Sequence, residues 1–161
     1  MNERTPIAHI MIHVEGIPQG QGALSSSPFR RKDGSLGVNT FSTNKAKLEP
    51  WRDKVERTIR TAIKDNDQHF NNDDPLVLFC QFRFQVPKSK VKKKKGYPLD
   101  MTMYPDLDHL TRSIGDAWKN GTGVDDSRFS ETHCTKSYVL NYEDVGVDIT
   151  IAQFSQRYEP I

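Results

Sequence analysis

Two aspartates separated by a single residue, Asp106 and Asp108, open an amphipathic stretch, and more acids return at Asp116, Asp125 and Asp126. One carboxylate is enough to cap a helix and complement its dipole. A pair of carboxylates with further acids close behind offers more oxygen than a cap uses. Such a group suits a hard cation like magnesium, which prefers oxygen ligands and keeps waters and phosphate oxygens in its shell. Carboxylates packed together repel one another unless a cation or a proton compensates. The chemistry this points to is binding of a divalent cation.

Asp126 is far from Asp106 along the chain. A helix of about 12 residues, Leu107 to Trp118, is roughly 18 Å long. The return segment Lys119 to Asp126, fully extended, spans at most about 26–29 Å. The acids can therefore meet if this Gly-containing loop runs back along the helix. Arg112, one turn after Asp108, reads either as an ordinary i,i+4 partner of that aspartate or as a cation that stabilises charge on phosphoryl oxygens. Lys136 is a second candidate for the latter role.

Positive charge is concentrated elsewhere. Lys88, Lys90, Lys92, Lys93, Lys94 and Lys95 form a dense run, expected to be extended and mobile by self-repulsion when unbound. Neutralising DNA phosphates releases counterions, so this run is the best candidate for a backbone contact, against the plainer reading of a solvated loop. Arg30, Arg31 and Lys32 on an expected hairpin form a second basic candidate. Tyr97 and Tyr104 flank the run and read either as packing residues or as platforms for unpaired bases.

Other chemistries are excluded by spacing. Cys80 and Cys134 form no CxxC pair, so neither a zinc site nor a disulfide framework is supported. The five histidines show no HxxxH or HExxH spacing, and only His109, beside Asp108, stands out. Formal net charge is +2, so the distribution of charge carries the nucleic-acid argument. The chain of 161 residues is 35% hydrophobic and 27% charged, which is polar but patterned. It is expected to fold as a single domain over residues 1–161 with a mobile basic loop at about 87–98. With no signal-peptide core and no run long enough to span a membrane, a cytoplasmic protein is expected.

The elements that must position these residues are read from periodicity. Ile7 to Gly16 alternates as a strand, and the Gly16–Gly22 stretch breaks it. Asp33-Gly34 marks a hairpin turn. Leu48, Trp51, Val55, Ile59, Ala62 and Ile63 recur at helical spacing, with Thr43 or Asn44 as cap and Pro50 expected in the first turn. Asp65 to Asp74 is polar and reads as a loop. Leu76 to Val86 is the strongest strand, and Pro87 ends it. The second helix, Leu107 to Trp118, ends at Asn120-Gly121-Thr122-Gly123. Strands follow near Arg128–Val139 and Val145–Phe154. Trp51 and Trp118 lie on apolar stripes and read as core. This order predicts an α/β single domain, a mixed β-sheet packed against two main helices.

At Pro105-Asp106-Leu107-Asp108, Asp116-Ala117-Trp118 and Asp125-Asp126-Ser127 the sequence resembles the RusA family of Holliday junction resolvases. Lys136, Tyr138, Gly16-Ile17-Pro18 and the helix bearing Trp51 also fit. The resemblance covers most of the chain. It implies a RusA-like fold and a small homodimeric endonuclease that resolves four-way DNA junctions by paired nicks, in recombination and repair. It also implies magnesium or manganese as cofactor and a bacterial, phage or prophage setting. Carried over, it makes Asp106, Asp108 and Asp126 the metal-binding acids, with Asp125 as the neighbouring alternative. Arg112 stands where the family usually has an essential lysine, and His109 where asparagine is usual. Gln19, Gln21 and Ala23 stand where family members tend to have arginines. Arginine keeps the charge and grips phosphate bidentately but does not readily give up a proton. Two other readings remain on these residues: a nuclease of flaps, forks or other branched DNA, and a non-catalytic DNA-binding module whose acids only cap a helix.

Overall fold

The computed structural model describes residues 4–22 and 24–161. Six strands and two long helices follow one another as β1 (Ala8–Glu15), β2 (Leu24–Arg30), β3 (Leu36–Ser42), α1 (Lys45–Asp65), β4 (Leu76–Gln85), α2 (Leu107–Thr122), β5 (Phe129–Val139) and β6 (Gly146–Gln153). The main sheet has the order β1-β6-β4-β5. β6 is antiparallel to both β1 and β4, while β4 and β5 run parallel. The parallel pair needs a crossover, and α2 supplies it. The result is the expected α/β single domain with a mixed sheet and two main helices.

Alternation explains which face is covered. Leu76, Leu78, Cys80, Phe82 and Phe84 of β4 are all buried, as are Val147, Ile149 and Ile151 of β6 and Ile10 and Val14 of β1. These side chains meet Trp51, Val55 and Ile59 of α1 and Leu110, Ile114, Ala117 and Trp118 of α2 in one core. Both tryptophans are core residues, as their spacing predicts. Trp118 meets the rings of Phe70 and Phe129 edge-on, at 4.9 and 5.9 Å. The opposite face of the sheet is open, with Met11 75% and Phe79 45% exposed.

The helices are fastened to each other by polar contacts as well. Arg52 of α1 pairs with Asp116 of α2 at 3.3 Å. Arg60 donates to the carbonyls of Asn120 and Gly121, filling acceptors that the last turn of α2 leaves open. Gly123, at φ +74°, then ends α2 in the left-handed region. α2 therefore runs four residues beyond the expected stop at Trp118, because the glycine that terminates it is the last of the breaker residues.

α1 differs from expectation in two ways. Pro50 lies in its second turn, where both it and Ala46, the residue its missing N–H would have bonded, are exposed. Asn44 occupies the cap position, yet its side chain braces the loop before the hairpin. Its Nδ2 donates to Gly20 O at 2.7 Å and its Oδ1 accepts from Gly22 N at 2.9 Å.

β2 and β3 form a separate two-stranded arm. A five-residue loop, Arg31 to Ser35, closes it, with Gly34 at φ +83° and the Asp33 carboxylate accepting from Ser35 N and Oγ. That is longer than a tight two-residue turn, because Asp33 bonds its own backbone two residues on.

Candidate active site

α2 is the element that carries the chemistry. Asp106 is its N-cap residue, yet its carboxylate makes no cap hydrogen bond. Asp108 sits in the first turn, exposed. Neither carboxylate is therefore used as a cap, although Asp108 in the first turn still complements the helix dipole. One ligand atom from each of Asp106, Asp108 and His109 lies within 4.8 Å of the others. His109 Nε2 faces Asp108 Oδ2 at 3.8 Å, and its Nδ1 is buried with no hydrogen-bond partner. Two carboxylates not used in capping and an imidazole form a hard, oxygen-rich donor set that fits a divalent cation.

The segment leading into Asp106 is held from β5. Residues 99–101 run along the free edge of β5, with Tyr138 N donating to Leu99 O and Met101 N to Lys136 O. The Lys136 ammonium then donates to Met103 O at 2.7 Å and Pro105 O at 2.8 Å. Sequence reasoning took Lys136 for a cation facing phosphate. In the structure its ammonium clamps the backbone that positions Asp106.

Beside the acids opens a cavity of about 560 Å³, lined by Asp108, Thr111, Arg112, Gly115, Asp126 and Cys134 over a floor of Leu78 and Phe129. Arg112 is exposed and, among the described residues, makes no hydrogen bond or ion pair, so the expected i,i+4 pair with Asp108 is not formed. Its guanidinium is uncommitted on the cavity wall. Asp126 lines the same cavity but lies outside the Asp106–Asp108–His109 group. A methyl placed on Gly115 would meet its carboxylate at 3.8 Å, which puts Asp126 beside that glycine. Gly115 lies seven residues after Asp108, about 10 Å along the helix axis.

The neighbouring aspartates have different surroundings. Asp125 caps a short helical turn. Ser127 N–H and then Lys119, at 3.0 Å, hold its carboxyl far below the usual carboxylate range. The Asp125 N–H is in turn fixed by Asn72 Oδ1. The loop that supplies Asn72 is anchored by the buried Gln153, whose amide bonds Asn71 N, Asn71 O and Asp74 O. Asp125 is thus consumed by local structure, and Asp126 is the one that faces the cavity. At the cavity edge the Cys134 thiol is pulled below the ordinary thiol range by the neighbouring Cys80 thiol. Burial and the same neighbour push Cys80 up.

The basic residues are placed as follows. Lys88–Lys90 form a short helical turn, and Lys92 pairs with Gly96 across a tight turn. The run is folded into turns rather than extended, because Gly96 at φ +75° lets the chain close on itself. None of these lysines pairs with a carboxylate among the described residues. Arg30 and Arg31 sit at the exposed tip of the arm, and Arg31 lies over the Phe29 ring at 5.9 Å. Ala23, where family members tend to have arginine, is outside the described residues.

Sequence reasoning singled out His109 but did not place it among the metal-binding residues, whereas its ring lies with the two acids. The available signal was its position next to Asp108, which the absence of any histidine spacing motif outweighed.

The mixed sheet thus presents two acids not used in capping at the start of its crossover helix, with the uncommitted Arg112 guanidinium on the same cavity wall as Asp108. The family model for endodeoxyribonuclease RusA matches residues 26–152, and the chain belongs to that family of endodeoxyribonucleases. No curated protein matches the chain. The matched region holds α1, α2 and every acid discussed above, whereas β1 and the Gly16–Gly22 loop precede it. No helix among the described residues is long and apolar enough to cross a membrane.

Proposed function

We propose that the chain hydrolyses phosphodiesters at branched DNA, four-way junctions foremost, with magnesium or manganese as cofactor. The observation that carries this reading is the Asp106–Asp108–His109 group, drawn together at the start of α2 with neither carboxylate spent on capping. When bound there, a divalent ion supplies Lewis acidity toward a phosphoryl oxygen and a lowered pKa for a bound water.

The chain's own residues do the rest. Asp106 and Asp108 supply the negative charge that holds the cation. Arg112 grips phosphoryl oxygens bidentately and stabilises the charge that builds on them. Asp126 completes the acidic lining across the cavity. Lys136 fixes the loop before Asp106, so the acids stay in register with the bound phosphate. The lysines of residues 88–95 and the Arg30–Arg31 tip bind flanking phosphates. A C₂ homodimer would present two such sites to the approximate two-fold symmetry of a junction and so make paired cuts. A bacterial cytoplasm, in a cell or during phage growth, is the setting this activity suits.

Asp108→Asn, assayed on a synthetic four-way junction with magnesium, should abolish cutting while leaving the fold intact. Near wild-type cleavage by that variant would refute the proposal. A parallel panel of flaps, forks and linear duplex distinguishes a strict resolvase from a broader branched-DNA nuclease.

A further inference from the structure

A second cavity, about 440 Å³, shares the backbone that leads into Asp106, for Met103 and Tyr104 form part of its wall. Phe84, Tyr138, Tyr142 and Lys90 supply much of the remainder. Its rim is unusually apolar for surface in water: Tyr104 is 68% exposed, Tyr142 59% and Met103 55%. Among the described residues none of the three phenol hydroxyls has a hydrogen-bond partner within the protein. An exposed aromatic patch of this kind is a binding surface when something flat and apolar is to be taken up.

The charge around it says what that is. Lys90 stands on the cavity wall, with Lys88 before it and Lys92 to Lys95 after it in the same folded segment, none with a carboxylate partner among the described residues. A pocket of rings bordered by uncommitted ammonium groups complements a polyanion that carries planar aromatic groups, which is a nucleotide strand. We propose that the cavity takes one unstacked nucleobase from the branch point of the DNA. Tyr104 and Tyr142 pack on the base, and the lysines hold the phosphates on either side.

This rests on the branched-DNA reading and adds to it a reason for preferring branches. A base at a branch point costs less to unstack than one inside a duplex. The cavity wall and the acids are also mechanically joined, because Lys136 bonds the carbonyls of both Met103 and Pro105. A base seated against Tyr104 therefore fixes the position of its strand relative to Asp106, which is the orientation that cleavage needs.

The test uses the full chain in EDTA, with fluorescence anisotropy on labelled four-way junctions. Tyr104→Ser should weaken binding of the intact junction about tenfold, and Tyr104→Phe should restore it. On a junction with abasic residues at the branch positions, wild type and Tyr104→Ser should bind equally, since no base is left to seat. A loss that persists on the abasic junction would overturn the proposal. So would unchanged affinity of both Tyr104→Ser and Tyr142→Ser for the intact junction. It would also fall if these variants turned a dimer into a monomer in sedimentation with DNA affinity untouched, because a second copy would then be the occupant. If the wild-type chain neither binds nor cuts branched DNA, the nuclease reading fails and takes the cavity with it. If it cuts junctions while the tyrosine variants are indifferent, only the cavity proposal fails.

Discussion

Replacing Lys136 with methionine separates two roles that a lysine near a phosphate site can have. The stem is nearly kept, so packing changes little, but the two bonds to Met103 O and Pro105 O are lost. Hydrogen bonds from a charged donor contribute about 1.5–3 kcal/mol each when well shielded. One of these bonds is exposed and the other part-buried, which reduces the expected total to about 1–2 kcal/mol. In urea unfolding that is a fall in the midpoint of roughly 0.5–1 M. The functional effect should be larger than the stability effect. With the clamp gone, Asp106 is free to drift, and a misplacement of about 1 Å costs on the order of 10²-fold in rate. Magnesium half-saturation for junction cleavage should rise, because the acids are no longer held together. The slope of junction affinity against salt should stay where it was, whereas loss of a true phosphate contact would reduce it by about 0.9. If the midpoint in urea and the magnesium dependence are unchanged while the salt slope drops, Lys136 is a DNA contact and the clamp argument is wrong.

Two further outcomes follow from other contacts. Gln153→Leu should cost about 2–4 kcal/mol in urea unfolding, since it orphans Asn71 N, Asn71 O and Asp74 O around a fully buried side chain. A loss below about 0.5 kcal/mol would mean that this loop is not anchored there. Replacing the six lysines of residues 88–95 with serine should flatten the salt dependence of junction binding, and an unchanged slope would remove that run from the interface.

The fold was largely legible because its elements carry clean periods. β4 alternates from Leu78 onward, and α1 and α2 each show one apolar stripe. The boundaries were less so. Several breaker residues follow Trp118, and only the last, Gly123, adopts the left-handed conformation that stops the helix. Pro50 misled because the rule against interior proline weighs a lost hydrogen bond, and in this helix the proline lies on the exposed side, as does Ala46 one turn before it. For the site, Asp106, Asp108 and Arg112 were visible as types at helical spacing. The different surroundings of Asp125 and Asp126 were not, since they depend on how the loop folds: Ser127 N–H and Lys119 hold the Asp125 carboxylate, and Asn72, distant in sequence, fixes its N–H. The partners of Lys136 were not legible either, because they are backbone carbonyls, which leave no mark in a sequence.

The strap between β1 and the arm has a mechanical consequence. Asn44 pins Gly20 and Gly22, and Gln21 N bonds His109 O. The arm's two strands thus spring from an anchored root that also touches the helix bearing the acids. Any displacement of Gly20 to Gly22 would thus be felt at the His109 carbonyl, one residue from Asp108.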